Sequence, residues 1–315
     1  MKNIYYDTKN PGSFGGAESL FREAQKADPN IKLKDVKKWL EGELTYTLHK
    51  PLRRRFKRNP VIAEFPKELM MVDLVDMREF SRENDGHNYI LTAIDVFSKL
   101  AFAVALKNKS MNSVRNGMEI ILKQYSPLKL MTDNGTEFKN KVFVDLMKKY
   151  NIFHYFSKNK DIKCSVVERL NRTLKNRMFR YFTSKGNRRY LDVLDDLVKA
   201  YNESYHRSIK MAPVHVSNNN AKIVFKNLYG FESKREYLRK MKRPRLTQDD
   251  TVRRKYDLNI HDRGYYPNWT DEIYKVYKTI SGLNKPYYKL KHESGNVIEK
   301  RFYPEEVQKV KPTLY

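Results

Sequence analysis

The chain has 315 residues and a formal net charge of +26, with 63 Lys and Arg against 37 Asp and Glu. An excess of this size points to a polyanionic partner, nucleic acid first; because it is spread along the chain, it argues against a basic membrane-surface helix. The single cysteine, Cys164, excludes an internal disulfide framework and a cysteine-ligated zinc site, and the chain reads as intracellular.

The opening MKNIYYDTKNPGSFGG has no apolar core of a signal peptide, and no run approaches the roughly 18 apolar residues of a membrane span. With 22 Tyr and 16 Phe, burial is expected to lean on aromatic rings. Residues 1–68 read as a basic N-terminal region with helices over Ala17–Ala27 and Lys34–Gly42, the second carrying Val36, Trp39 and Leu40 at helical spacing. This is either a helix-turn-helix or a small helical packing module. The run Arg53, Arg54, Arg55, Phe56, Lys57, Arg58 is a nuclear-localisation signal, a strap on DNA phosphates or a solvated linker; linker with phosphate contact is the reading adopted.

Residues 69–207 change character. LMMVDLVDM, NYILTAIDVF and LAFAVAL predict three strands in succession, neighbours in an antiparallel meander. An amphipathic helix over Met111–Tyr125 with Ser110 as N-cap, a strand LKLMTD, a helix Phe138–Tyr150 and a strand IFHYF follow. The polar stretch 157–163 is a loop; a long helix runs from Ser165 to about Ser184, and another covers Tyr190–Tyr205. Three strands and then alternating helices and strands describe an α/β domain with a mixed sheet. Residues 208–245, with Pro213, SNNN and KMKRPR, read as a basic linker; residues 246–315 carry short strand-like runs (DTVRRKY, EIYKVYKTI, YYKLKH, NVIEKRFY) that suggest a small SH3-like β-barrel.

Three carboxylates carry the chemistry. Asp73 sits inside the apolar run Met71, Val72, Asp73, Leu74, Val75, where a lone charge is costly unless paired or bound to metal. Asp133 ends the next candidate strand and enters the turn TDNG; Glu168 lies in the first turn of the long helix, whose Val167, Leu170, Leu174 and Met178 form a buried stripe and whose Glu168, Arg172 and Lys175 share another face. Three hard oxygen ligands without His or Cys suit Mg²⁺ or Mn²⁺, and two such ions activate a nucleophile and stabilise a leaving oxygen in phosphoryl transfer.

The segments MVDLVDM, NYILTAIDVFSKLAFAVAL, LMTDNGTEF and VVERLNRTLKNRM resemble the catalytic core of retroviral and retrotransposon integrases. The resemblance implies an RNase H-like core, a mixed five-stranded sheet with helices, whose catalytic and metal-binding triad is Asp73, Asp133 and Glu168 with two Mg²⁺ or Mn²⁺ ions per active site. There are 34 residues between Asp133 and Glu168, one fewer than is usual in that family. Asp76 points to the opposite side of its strand and Asp73 is preferred; Asp95 is read as structural. Asn171, Arg172 and Lys175 match positions that touch DNA in relatives. The flanks YYDTKNPGSFGGAESL, WLEGELTYTLHKP and GYYPNWTDEIYKVYKTI look like integrases of Maverick/Polinton DNA transposons. With Cys164 alone, the His-His-Cys-Cys zinc domain that opens retroviral integrases is not expected. The C-terminal barrel resembles the SH3-like or chromodomain-like tail of such enzymes; Trp269, Tyr274, Tyr287 and Tyr288 are core aromatics there or, in the weaker reading, a methyl-lysine cage that would contact chromatin. Arg53, Arg54, Arg55, Arg253 and Arg254 are expected on the DNA backbone.

The expected activity is therefore that of a DDE-type DNA integrase, a polynucleotidyl transferase performing 3′-end processing and strand transfer on double-stranded DNA. It is expected in the nucleus, away from membranes, as a homo-oligomer of at least two and by preference four copies. The alternatives are a domesticated integrase that binds DNA or chromatin without catalysis, and a nuclease of the same fold.

Overall fold

The computed structural model of the protein describes residues 1–53, 55–157, 165–256 and 265–311. Arg54, Cys164 and the 158–163 part of the expected loop lie outside the described residues. The chain forms two compact units: residues 60–239, and a second unit built from 1–59 together with 240–315. The N-terminal helical region and the C-terminal β region, expected from the sequence as separate modules, thus belong to one unit.

The second unit opens with helices α1 (Lys2–Tyr6), α2 (Ala17–Ala27), α3 (Leu33–Leu40) and α4 (Leu44–His49). Leu20 on α2 and Val36 and Leu40 on α3, the last two at four-residue spacing, close with Tyr5 on one buried cluster.

The 60–239 unit holds β1 (Leu69–Asp76), β2 (Tyr89–Asp95), β3 (Ala101–Leu106), α5 (Met111–Gln124), β4 (Lys129–Thr132), α6 (Lys141–Lys149), β5 (Phe153–Phe156), α7 (Ser165–Lys185), α8 (Leu194–Glu203), α9 (Ala221–Tyr229) and α10 (Lys234–Arg239). The sheet order is β3-β2-β1-β4-β5, with β1, β2 and β3 antiparallel neighbours and β1, β4 and β5 parallel. This is the mixed five-stranded sheet expected for an RNase H-like core.

Alternation along β1 assigns its two faces. Leu69 and Met71 pack with Val167, Leu170 and Leu174 of α7, Val198 and Tyr201 of α8, and Val224 and Phe225 of α9. Met70 and Val72 face the other way, onto Val114, Met118 and Ile121 of α5 and Phe143 and Leu146 of α6. Gly117, inside α5, is explained by close approach: a Cβ there would stand 2.8 Å from a Leu106 methyl. Ser110 caps α5 as expected, its Oγ accepting from Ser113 N at 3.3 Å. The next helix starts later than its apolar pattern suggests, because Asn140 caps it, accepting from Phe143 N at 2.9 Å. Residues 208–245, read as linker, include α9 and α10, and α9 contributes directly to the core.

Asp95 is structural, as the sequence suggests. Fully buried at the end of β2, it accepts from the amides of Lys67 (2.8 Å), Phe97 (3.0 Å) and Ser98 (2.6 Å) and from the Ser98 hydroxyl (2.8 Å). Burial nevertheless holds its carboxyl above the ordinary value. An amide in its place must turn an NH₂ towards one of these donors. Asp95→Asn is therefore expected to cost about 1–3 kcal/mol in urea unfolding, and an unchanged midpoint would contradict the hydrogen-bond assignment.

The 240–311 part of the second unit contributes β6 (Thr251–Arg254), β7 (Tyr274–Ile280), β8 (Tyr287–His292) and β9 (Val307–Lys309) in an antiparallel sheet of order β8-β7-β6-β9. The expected strand NVIEKRFY is reduced to isolated bridges, Lys291 to Val297 and Tyr288 to Phe302. Within the unit, Trp269 Nε1 donates to the Lys50 carbonyl at 2.8 Å, and Asn59 accepts from the amides of Asn284 and Lys285 at 3.0 and 3.2 Å. Among the described residues no helix is long and apolar enough to cross a membrane.

Candidate active site

β1 and β4 are parallel, with Leu69 opposite Lys129 and Met71 opposite Met131. Continuing that register by two residues brings Asp133, just past the end of β4, level with Asp73. Asp73 shares parity with Met71, which belongs to the cluster under α7, and so lies on the face that α7 covers; Asp133 stands near enough for its charge to reach it. Asp133 is exposed and closes the turn by accepting from Gly135 N at 3.1 Å.

The third carboxylate arrives on α7. The stripe Val167, Leu170, Leu174 and Met178 is buried, which orients the helix and leaves Glu168 exposed in its first turn. Asn171, one turn further, is pulled inward: its Nδ2 donates to Asp73 Oδ2 at 2.8 Å, and its Oδ1 accepts from the hydroxyl of Thr92 on β2 at 2.7 Å. The other Asp73 oxygen accepts from Leu74 N at 2.8 Å.

Asp73 is partly buried, and its carboxyl is held above the ordinary value first by that burial and then by the charges of Asp133, Glu168 and Glu137. Those three acids are therefore near enough for their charges to reach Asp73. Glu137, in TDNGTEF, is a fourth acid that the spacing argument did not single out; its only sequence signal is its place four residues after Asp133. Asp76, the rival for the first position, is instead engaged by Arg78 (Nη2 to Oδ2, 2.6 Å), which lowers its carboxyl pKa.

Among the described residues no three His, Cys, Asp or Glu groups gather closely enough to hold an ion by themselves. The donors are hard oxygens, the type that Mg²⁺ takes, and that ion needs few of them from protein because substrate phosphates and water complete its shell. A cation would also offset the repulsion between Asp73 and its acidic neighbours.

The expected DNA contacts divide into two groups. Arg172 is exposed and Lys175 half-buried on α7, the helix that also carries Glu168, and Arg53 and Arg55 are exposed in the second unit. Arg253 is not available to DNA: it is 4% exposed and its guanidinium donates to the carbonyls of Thr270 (2.7 Å) and Asp271. Arg254 packs over the Tyr274 ring and donates to its hydroxyl at 3.1 Å. Both arginines alternate along a strand whose buried residues lie in a small sheet, so their stems are drawn into the fold. Arg253→Ala is expected to lower the stability of this unit by about 1–3 kcal/mol while leaving the salt dependence of DNA binding unchanged. A shallower salt slope without destabilisation would restore the phosphate-contact role. Trp269, Tyr274 and Tyr288 are buried, so the aromatic-cage alternative is not presented at the surface.

Comparison with known proteins bears on the family and the fold. Residues 64–161, spanning β1 to β5, match the integrase core domain family. The transposon-derived protein F54H12.3 of Caenorhabditis elegans is 34% identical over 207 residues, covering 65% of this chain and 68% of that protein. The retrovirus-related Pol polyprotein from transposon 412 of Drosophila melanogaster is 31% identical over 127 residues, 39% of this chain but 10% of that polyprotein. A chain of the simian T-cell lymphotropic virus intasome, solved in complex with PP2A regulatory subunit B56 gamma, shares the fold with a TM-score of 0.65 over 94% of this chain and 99% of its own, at 13% identity. The worm relative, matched over two thirds of its length, and the core match across the sheet that carries Asp73 and Asp133 together place the family: this chain belongs to the retroviral integrase superfamily.

Proposed function

We propose that the protein is the DNA integrase of a mobile element, a DDE-type polynucleotidyl transferase of double-stranded DNA. The observation that carries this reading is the partly buried Asp73 on β1, held by Asn171 of α7 and within reach of the charges of Asp133, Glu168 and Glu137. Such a cluster is costly in an apo fold and suits a site that takes divalent cations and phosphates.

Asp73, Asp133 and Glu168 would hold two Mg²⁺ or Mn²⁺ ions. When bound, such ions lower the pKa of an attacking water or hydroxyl and offset charge on the leaving oxygen. Arg172 and Lys175, on the helix that carries Glu168, would seat the phosphates of the reacting strand. In end processing, water attacks phosphorus and one P–O3′ bond breaks, leaving a 3′-hydroxyl on the element. In strand transfer that hydroxyl attacks a target phosphodiester in line; one P–O bond forms as another breaks, so no energy-rich cofactor is consumed. The worm and fly relatives are described as transposon-derived and as part of a transposon Pol polyprotein, which supports a mobile-element origin. The flanking segments favour a Maverick/Polinton-type element. Two ends joined in one event require two active sites, hence a homo-oligomer, and the substrate implies work in the nucleus.

The test is strand transfer in Mg²⁺ with an oligonucleotide carrying the element's end and a supercoiled plasmid. Glu168→Gln, on an exposed position, is expected to keep DNA binding and reduce joining by about a hundredfold. Full activity in that variant would remove Glu168 from the site. Hydrolysis without joining, given a supplied 3′-hydroxyl end, would support a nuclease; salt-sensitive binding with neither reaction would support a DNA-binding descendant.

A further inference from the structure

Thr92 occupies the middle of β2, directly opposite Asp73 in the antiparallel register. It is 1% exposed, and its neighbours on the same face, Ile90 and Ile94, are buried and apolar. A hydroxyl in such a row must find a partner inside the fold. Two acceptors are in reach: Asn171 Oδ1 at 2.7 Å and the Asp73 carbonyl at 3.3 Å. The single hydroxyl proton goes to the nearer.

This choice bears on the Asn171 amide. The terminal torsion of asparagine is broad, so the helix alone does not decide which end of the amide faces Asp73. If the amide turned over, its oxygen would stand 2.8 Å from Asp73 Oδ2, acceptor against ionised acceptor. With the observed orientation every pair matches: Thr92 hydroxyl to Asn171 oxygen, Asn171 NH₂ to Asp73 Oδ2, and Leu74 N–H to Asp73 Oδ1. The carboxylate is gripped on both oxygens, and its plane is set by three groups that lie on β1, β2 and α7.

We propose that Thr92 is a positioning residue for the reaction. Through Asn171 it sets the orientation of the Asp73 carboxylate, although it touches neither DNA nor the reacting atoms. The inference rests on the active-site reading above. Outer partners that orient a metal-binding group commonly change activity by about 10- to 100-fold when removed.

The experiment uses the full chain and compares wild type with Thr92→Val, close in shape and good in a strand, and Thr92→Ser, which keeps the hydroxyl. Strand transfer is measured across Mg²⁺ concentrations, DNA binding by titration, and the Asn171 side-chain NH₂ by NMR of asparagine-labelled protein without metal. The expected result for Thr92→Val is a rate lower by about 10- to 100-fold, a higher Mg²⁺ requirement, unchanged DNA affinity and a displaced Asn171 resonance, with Thr92→Ser close to wild type in all four. An Asn171 resonance that stays in place in Thr92→Val overturns the inference, and so does a Ser variant as slow as the Val variant, since packing and not the hydroxyl would then matter. A wild type that joins no DNA sinks the functional reading instead; in that case the Asn171 resonance still decides whether Thr92 sets the amide.

Discussion

Replacing Asp73 with asparagine should abolish joining and yet raise the melting temperature. The loss of activity is expected at roughly a thousandfold or more, because a carboxylate at the centre of the acidic cluster is removed from the site proposed to hold the metals. The gain in stability follows from the same position. Burial, helped by Asp133, Glu168 and Glu137, raises the Asp73 pKa in the folded chain, so its ionised form opposes folding. The sign is the reverse of that for a salt-bridged aspartate: the stability associated with this group is complete below its unfolded pKa and is lost as pH rises through the raised folded value. At neutral pH an amide avoids that loss. Thermal melts between pH 4 and 8 should show Asp73→Asn more stable by about 2–4 °C at pH 7, with the two curves converging in acid. A variant less stable than wild type at pH 7 would mean that the carboxylate is satisfied in the fold and that the cluster is structural.

Phe225→Ala is expected to destabilise the 60–239 unit by about 3–5 kcal/mol, the largest effect foreseen for a residue away from the carboxylates. Phe225 is 4% exposed and packs in the cluster of Leu69, Met71, Leu170 and Tyr201, with the Tyr229 ring 4.8 Å away. Tyr229 in turn accepts from Ala63 N at 3.1 Å, just ahead of β1. The cavity left by the ring would lie under the strand that carries Asp73, so activity should fall along with stability. Urea unfolding measures this directly. A cost below about 1 kcal/mol would mean that α9 is a surface appendage, as a linker would be.

The two cases also show where electrostatics and packing divide the site between them. The apolar stripe of α7 sets the height and rotation of the helix; only then does Asn171 meet Asp73, with Glu168 near enough for its charge to reach it. A change in the stripe would therefore disturb the site without touching any polar group in it. The net charge of +26 acts at longer range; under the proposed function it would draw DNA to the surface without choosing the bond attacked.

Much of the architecture could be read from neighbouring residues alone. The strands β1 to β5, the α7 stripe and the capped α5 follow from period-two and period-3.6 patterns and from Ser110, all of which are local. The hydrophobic context of Asp73, the TDNG turn at Asp133 and the first-turn position of Glu168 were legible for the same reason. Legible but passed over were Val224, Phe225, Leu228 and Tyr229, whose helical spacing was masked by the SNNN tract and the basic run around them. Other features had no local signal. The level register of Asp133 with Asp73 depends on how β4 pairs with β1, and the burial of Arg253 depends on carbonyls at Thr270 and Asp271. Thr92 meets Asn171 across 79 positions of chain. In each of these the deciding partner is distant in sequence, and burial, hydrogen-bond satisfaction and charge repulsion act on groups only once the fold has brought them together.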